Sequence, residues 1–192
     1  MGLFGFNLFG LLGRGRTERS GYELYGEAVR TARAPYFYAD LGVPDTLDGR
    51  FDLVGLHAFL VIRRLSAMAP PGPDVSQAVF DAMFSDMDIN LREMGVSDLA
   101  VGKRVTAMWE AFHGRAAAYE AALAGAPPVG DGDTALAEAL ARNVWRGQVT
   151  LPDGPRRLAS LVRRHVENLG RIAPAALQAG KLAFPAPEEA SA

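Results

Sequence analysis

Apolar residues return every three or four positions from Val75 to Met94: Val75, Val79, Met83, Met87, Leu91 and Met94. That spacing places them on one face of a helix. Asp74, Gln77, Asp81, Ser85, Asp88 and Arg92 recur on the opposite face. Gly95 then interrupts the pattern and suits a left-handed C-terminal stop. Ser97 or Asp98 can open the next helix, whose apolar stripe is Val101, Val105, Met108, Phe112, Tyr119 and Leu123. Lys103, Thr106, Glu110 and His113 form its polar stripe.

The same reading extends outward. Residues 51–65, FDLVGLHAFLVIRRL, are apolar on nearly every side, which at this length predicts a central buried helix and not a membrane span. Ser20 and Glu23 have capping-box spacing and predict a helix from there toward Arg33, stopped by Pro35. Asp74 and Gln77 repeat that spacing. Residues 69–73, APPGP, break the chain, and 125–133, GAPPVGDGD, read as a linker. Leu136, Leu140 and Val144 mark a further helix ending near Gly147. Pro155 starts the last one, with Leu158, Leu161, Val162 and Leu169 on its face. No sustained strand alternation occurs. The expected fold is all-α, a single-domain multi-helix bundle over 20–182, with an apolar and basic segment at 1–19 and a disordered tail at 183–192.

Composition changes this picture in two ways. The formal net charge of −2 over 192 residues, with no strongly basic run, argues against general or specific DNA binding. The absence of cysteine excludes disulfides, thiolate metal sites and a thiol nucleophile. Residues 1–12, MGLFGFNLFGLL, are too short to span a bilayer. They lack the charge order and cleavage site of a secretory signal. Followed by Arg14, Arg16 and Arg19, they suit contact with a membrane interface.

The candidate chemistry is sparse. His57, His113 and His165 are in no metal-binding spacing. His57, inside the most apolar helix, reads as a hydrogen-bonded core histidine, and His113 as a surface group. His165 stays open between core and surface. Asp86 and Asp88 are two apart on a helix and point roughly 200° away from each other, so they do not share a proton or a metal. Asp88 falls on the polar stripe; Asp86, at the edge of the apolar face, suits structural pairing. No phosphate-binding glycine loop or serine elbow is present. Four dibasic pairs, 63–64, 103–104, 156–157 and 163–164, form a basic surface if the bundle gathers them, and are ordinary solvated pairs if it does not.

The stretch F-x-x-M-x-x-N-L-R-E-M-G-V-S-D-L-x-V near 84–101, with K-R at 103–104, F-H-G-R at 112–115 and Y-x-x-A-L at 119–123, resembles the ubiquinol–cytochrome c chaperone family. These are the assembly factors for cytochrome b of the bc1 complex. D-G-R-F-D-L-V-G-L-H-A-F-L-V-I-R-R-L at 48–65, A-R-x-P-x-F-Y at 32–38 and A-L-A-R-N-V-W at 139–145 also fit, so the likeness covers about residues 21–146. The resemblance implies a helical domain without enzymatic activity and without a cofactor. It also implies binding to newly made cytochrome b near the ribosome exit, together with a small helper protein. The first residues are not an amphipathic mitochondrial leader, and the composition reads as bacterial. The expected location is cytoplasmic, with peripheral contact at the inner membrane.

The leading expectation is thus a non-catalytic assembly chaperone whose client is cytochrome b or another hydrophobic bc1 subunit. The alternative is a haem- or quinone-binding helical bundle with His57 as axial ligand. By resemblance, and because they flank the joint at Gly95, the partner-binding candidates are Asp86, Asp88, Arg92, Lys103, Arg104 and Arg115. Of these, Lys103 and Arg104 are expected as contacts and Asp86 as structural. The methionines at 83, 87, 94 and 108 either pack the core or offer an adaptable surface.

Overall fold

The structure, a computed structural model, describes the backbone of residues 8–124 and 133–186, and the side chains of these from Gly15 onward. Among the described residues eight helices follow in order: α1 (Leu8–Ala32), α2 (Pro35–Ala39), α3 (Leu47–Ser66), α4 (Gly72–Glu93), α5 (Asp98–Leu123), α6 (Thr134–Asn143), α7 (Gly154–Arg171) and α8 (Pro174–Gln178). No strand occurs among the described residues. They form a single helical bundle, as the periodicity predicts. The expected linker lies outside the described residues apart from Asp133, as does the tail beyond 186.

Helix α3 is the centre. It touches α1, α4, α5 and α7, and Leu53, Leu56, Leu60, Val61 and Leu65 are buried on its several sides. Burying side chains of this size contributes about 1.5–3 kcal/mol each, which is why a helix apolar all round settles in the middle. It starts four residues before the expected Phe51. Thr46, in extended conformation, accepts the Gly49 N–H at 3.1 Å and caps it.

Helices α1 and α4 pack closely on one side of α3. A Cβ on Gly21 would lie 2.6 Å from the carbonyl carbon of Ala78, so only glycine permits this approach. The expected helix start at Ser20 is corrected here, since α1 already runs from Leu8. Ser20 and Glu23 serve other purposes. Ser20 is buried beneath Gly180, and Glu23 pairs with Arg19 at 3.0 Å. The capping box expected at Asp74 and Gln77 is likewise unused: α4 opens at Gly72, and the Gln77 amide donates to Asp81 at 2.7 Å. Short α2 and α8 were not visible in the pattern, because five residues give too few turns for a period.

Arg163 of α7 closes another corner. It pairs with Asp133 at 2.6 Å and donates to the terminal carbonyls of α5, Ala122 at 3.1 Å and Leu123 at 3.3 Å. Asp133 in turn caps α6 by accepting the Leu136 N–H at 3.1 Å. One guanidinium therefore ties the end of α5 to the start of α6. Among the described residues no helix is long and apolar enough to cross a membrane.

Candidate functional site

Two features stand apart from the packed core: the α4–α5 corner and a groove farther along α5. At the corner, Gly95 has φ of +78°. The Val96 N–H donates to Leu91 O at 3.1 Å and the Gly95 N–H to Arg92 O at 2.9 Å. That is the bonding of a Schellman stop, which requires the left-handed residue that glycine supplies. Arg92 then bridges the joint, holding Asp88 one turn back at 2.6 Å and Asp98 in the first turn of α5.

Beyond this joint α5 leans on few neighbours. Between Asp98 and Ala111 only Val101 is buried. Leu99 is 90% exposed, and Ile89, Met94 and Trp109 are about half exposed. Lys103 and Arg104 are exposed and have no ion-pair partner among the described residues. Unpaired cations and exposed large apolar side chains on a helix held away from the core are what a partner surface offers.

The six candidates fall into separate places. Asp88, Arg92, Lys103 and Arg104 share the corner and the first turns of α5. Asp86 looks the other way and accepts the Tyr25 hydroxyl at 2.7 Å, joining α4 to α1. Burial, reinforced by the Asp86 carboxylate, pushes that hydroxyl far above its usual range and keeps it a donor. Arg115 turns inward, where it meets the fully buried Asp52 of α3 at 2.8 Å and lies over the Phe51 ring. Asp52 also takes Arg146 at 3.1 Å, and Arg146 reaches Asp48 at 2.7 Å. Burial raises the Asp52 pKa, and the two arginines pull it back. This network joins D-G-R-F-D at 48–52, F-H-G-R at 112–115 and the residue after A-R-N-V-W at 141–145. Three motifs distant in sequence are thus one structural cluster.

The dibasic pairs are not gathered. Arg63 is bound bidentately to Glu120 at 2.6 and 3.1 Å, and Arg64 donates to Leu169 O at 3.2 Å. Arg157 donates to Asp40 O at 2.9 Å, and Arg163 is engaged at the α5 end. Met83 and Met87 are buried, whereas Met94 is exposed, so the methionines divide between core and surface.

Between α3 and α5, with Phe80 of α4, lies an open groove of about 730 Å³. Its floor is Phe59, Ile62, Phe80 and Phe112. Ser66 and Ala67 on α3 and Ala116 and Ala117 on α5 keep its walls low, and Arg63–Glu120 crosses it. His113 stands at its edge, packed at a tilt against Trp109 with centroids 4.1 Å apart, and its Nδ1 donates to Trp109 O at 2.9 Å. The groove is invisible in the sequence because its lining comes from three helices far apart along the chain. Trp109 alone carried a signal, as a large aromatic off the apolar stripe of α5.

His57 is a core histidine. It is 1% exposed, and its Nδ1 donates to Leu53 O at 2.8 Å. The rings of Phe37, His165 and Phe184 pack around it at 5.4–5.5 Å. An axial-ligand role would need these rings displaced. His165 is also buried, and Phe184, in the terminal segment, stacks on it at 4.6 Å while its N–H donates to the buried Glu27 at 3.0 Å. Burial holds His57 down to about 4 and His165 to about 3, the latter helped by the neighbouring imidazole. No group of three or more potential metal-ligating His, Asp or Glu side chains occurs among the described residues.

Comparison with known proteins shows what the chain is similar to. The family model described as "Ubiquinol-cytochrome C chaperone" matches residues 39–184. The ubiquinol-cytochrome-c reductase complex assembly factor 1 of Xenopus laevis is 26% identical over 139 residues, 71% of this chain and 65% of that protein. The chain thus spans somewhat less than two thirds of that relative's length. The crystal structure of the Cbp3 homolog from Brucella abortus superposes with a TM-score of 0.80 at 32% identity, covering 95% of this chain and 98% of that one.

Proposed function

The chain belongs to the ubiquinol-cytochrome C chaperone family, and from that premise we propose that it is a non-catalytic assembly factor that binds cytochrome b, or another hydrophobic subunit, while the bc1 complex is built. The observation that carries the reading is the match over 39–184, which takes in the groove, the Gly95 corner and the Asp52 network together. The exposed start of α5 supports it. Lys103 and Arg104 are free to meet a partner, while Asp88 and Arg92 fix the angle at which α5 is presented. Asp86 and Arg115 act on geometry, through Tyr25 and Asp52.

The chain works at the cytoplasmic face of the membrane in this reading, with residues 1–19 at the lipid interface and the client taken up close to the ribosome exit. Those first residues combine apolar side chains with three arginines, which is the chemistry such contact needs. The test is affinity capture of the tagged chain from detergent-solubilised membranes of cells making the bc1 complex. Cytochrome b is expected in the wild-type eluate and reduced in Lys103→Ala/Arg104→Ala. Its absence from the wild-type eluate would overturn the client assignment.

A further inference from the structure

The α3–α5 groove has a chemistry of its own. Four apolar side chains, three of them aromatic, line it; Ile62 and Phe80 are half-buried there, and Phe59 and Phe112 lie almost wholly buried beneath. The charged groups at its rim are unbalanced: Arg63 and Arg64 face a single carboxylate, Glu120, which Arg63 already holds. Arg64 uses only its Nε, on Leu169 O, and its two terminal amino groups make no hydrogen bond or ion pair among the described residues. A half-buried guanidinium with two free donors beside an apolar trough is complementary to an anionic head carrying a hydrocarbon tail. The volume is that of a small-ligand site. From Phe59 to Ala67 the groove runs along about 12 Å of α3, enough for a medium-length acyl chain.

We propose that this groove binds an anionic amphiphile, its hydrocarbon chain on Phe59, Ile62, Phe80 and Phe112 and its carboxylate or phosphate on Arg64. A free fatty acid and an anionic phospholipid share that chemistry. Ala117 is exposed on the wall, so a larger side chain there fills the groove without entering the core.

The test is calorimetric titration of the full chain with dodecanoate, below its micellar range, and with dodecyltrimethylammonium at the same chain length. Trp109, beside His113 at the groove edge, adds a fluorescence reading. Flotation with phosphatidylglycerol or phosphatidylcholine vesicles separates the two sources. Dodecanoate should bind saturably, at least about tenfold tighter than the cation, because a hydrogen bond to a charged group is involved. Arg64→Gln and Ala117→Phe, each with an unchanged melting temperature, should each weaken it about tenfold or more. Binding of free dodecanoate alone assigns the site to fatty acids. Capture by phosphatidylglycerol vesicles, lost in Ala117→Phe, assigns it to bilayer lipid. Equal affinity for anion and cation overturns the proposal and leaves an apolar groove for a protein segment. So does an absence of saturable binding combined with vesicle capture that is nil or indifferent to Ala117→Phe.

Discussion

Asp52 places a carboxylate inside the bundle between two arginines. Its carboxylate is fully buried and is offset by Arg115 and Arg146 from two other elements. Asp52→Ala should cost about 3–5 kcal/mol, because it strands the inward-facing Arg115. Lys103→Ala and Arg104→Ala should each change stability by less than about 0.5 kcal/mol, as solvated groups do. Urea denaturation of the three variants reads both. A small effect at Asp52 would mean that water reaches the network. The sequence separates these roles only in part. Asp86 is legible as a paired residue from its place at the edge of a stripe, whereas Arg115 on its helix carries no sign that its partner lies 63 residues upstream.

The two buried histidines make a second prediction at this scale. An unfolded histidine titrates near 6.5, and the folded values are depressed to about 4 and about 3. Their contribution is fully present above 6.5 and is lost as the pH falls from there toward the folded values, because the unfolded chain takes up the protons first. At pH 5 the loss is about 2 kcal/mol for each. The melting temperature should drop clearly between pH 7 and pH 5, and less in His165→Leu. Equal slopes in wild type and variant would contradict the assignment.

At the scale of elements, the joints are more informative than the helices. Gly95→Val should destabilise by about 1 kcal/mol or more, since a β-branched residue adopts the φ of +78° only at a cost. Nothing lies within 4 Å of a Cβ there, so the effect is one of backbone alone. Gly21→Leu is different: its Cβ meets the Ala78 backbone, and α1 must move off α4. Thermal melts should show a larger loss for Gly21→Leu than for Gly95→Val. The corner at Gly95 was readable because a stripe ended on a glycine. The closeness at Gly21 was not, since a glycine within a helix looks the same whether or not another helix touches it. Cap spacing alone does not fix where a helix begins. Ser20 and Asp74 have cap spacing, but a cap motif only permits a start, and packing against Gly180 or a Pro71 boundary decided otherwise.

For the whole molecule, the all-α class followed from sustained 3.6-residue periodicity, and the family likeness from motifs that form the Gly95 corner and the cluster around Asp52. What the sequence withheld was the space between elements: the groove is lined from α3, α4 and α5, and no residue pattern records the space they leave. The proposed function of this chain is service in assembly of the bc1 complex. The most direct measurement is the bc1 content of membranes from a strain lacking the chain, read from the reduced-minus-oxidised cytochrome b absorbance and from quinol–cytochrome c reductase activity. Both should fall sharply and return with the wild-type gene, and return less with Lys103→Ala/Arg104→Ala. Normal cytochrome b absorbance and normal reductase activity in the deletion strain would contradict it.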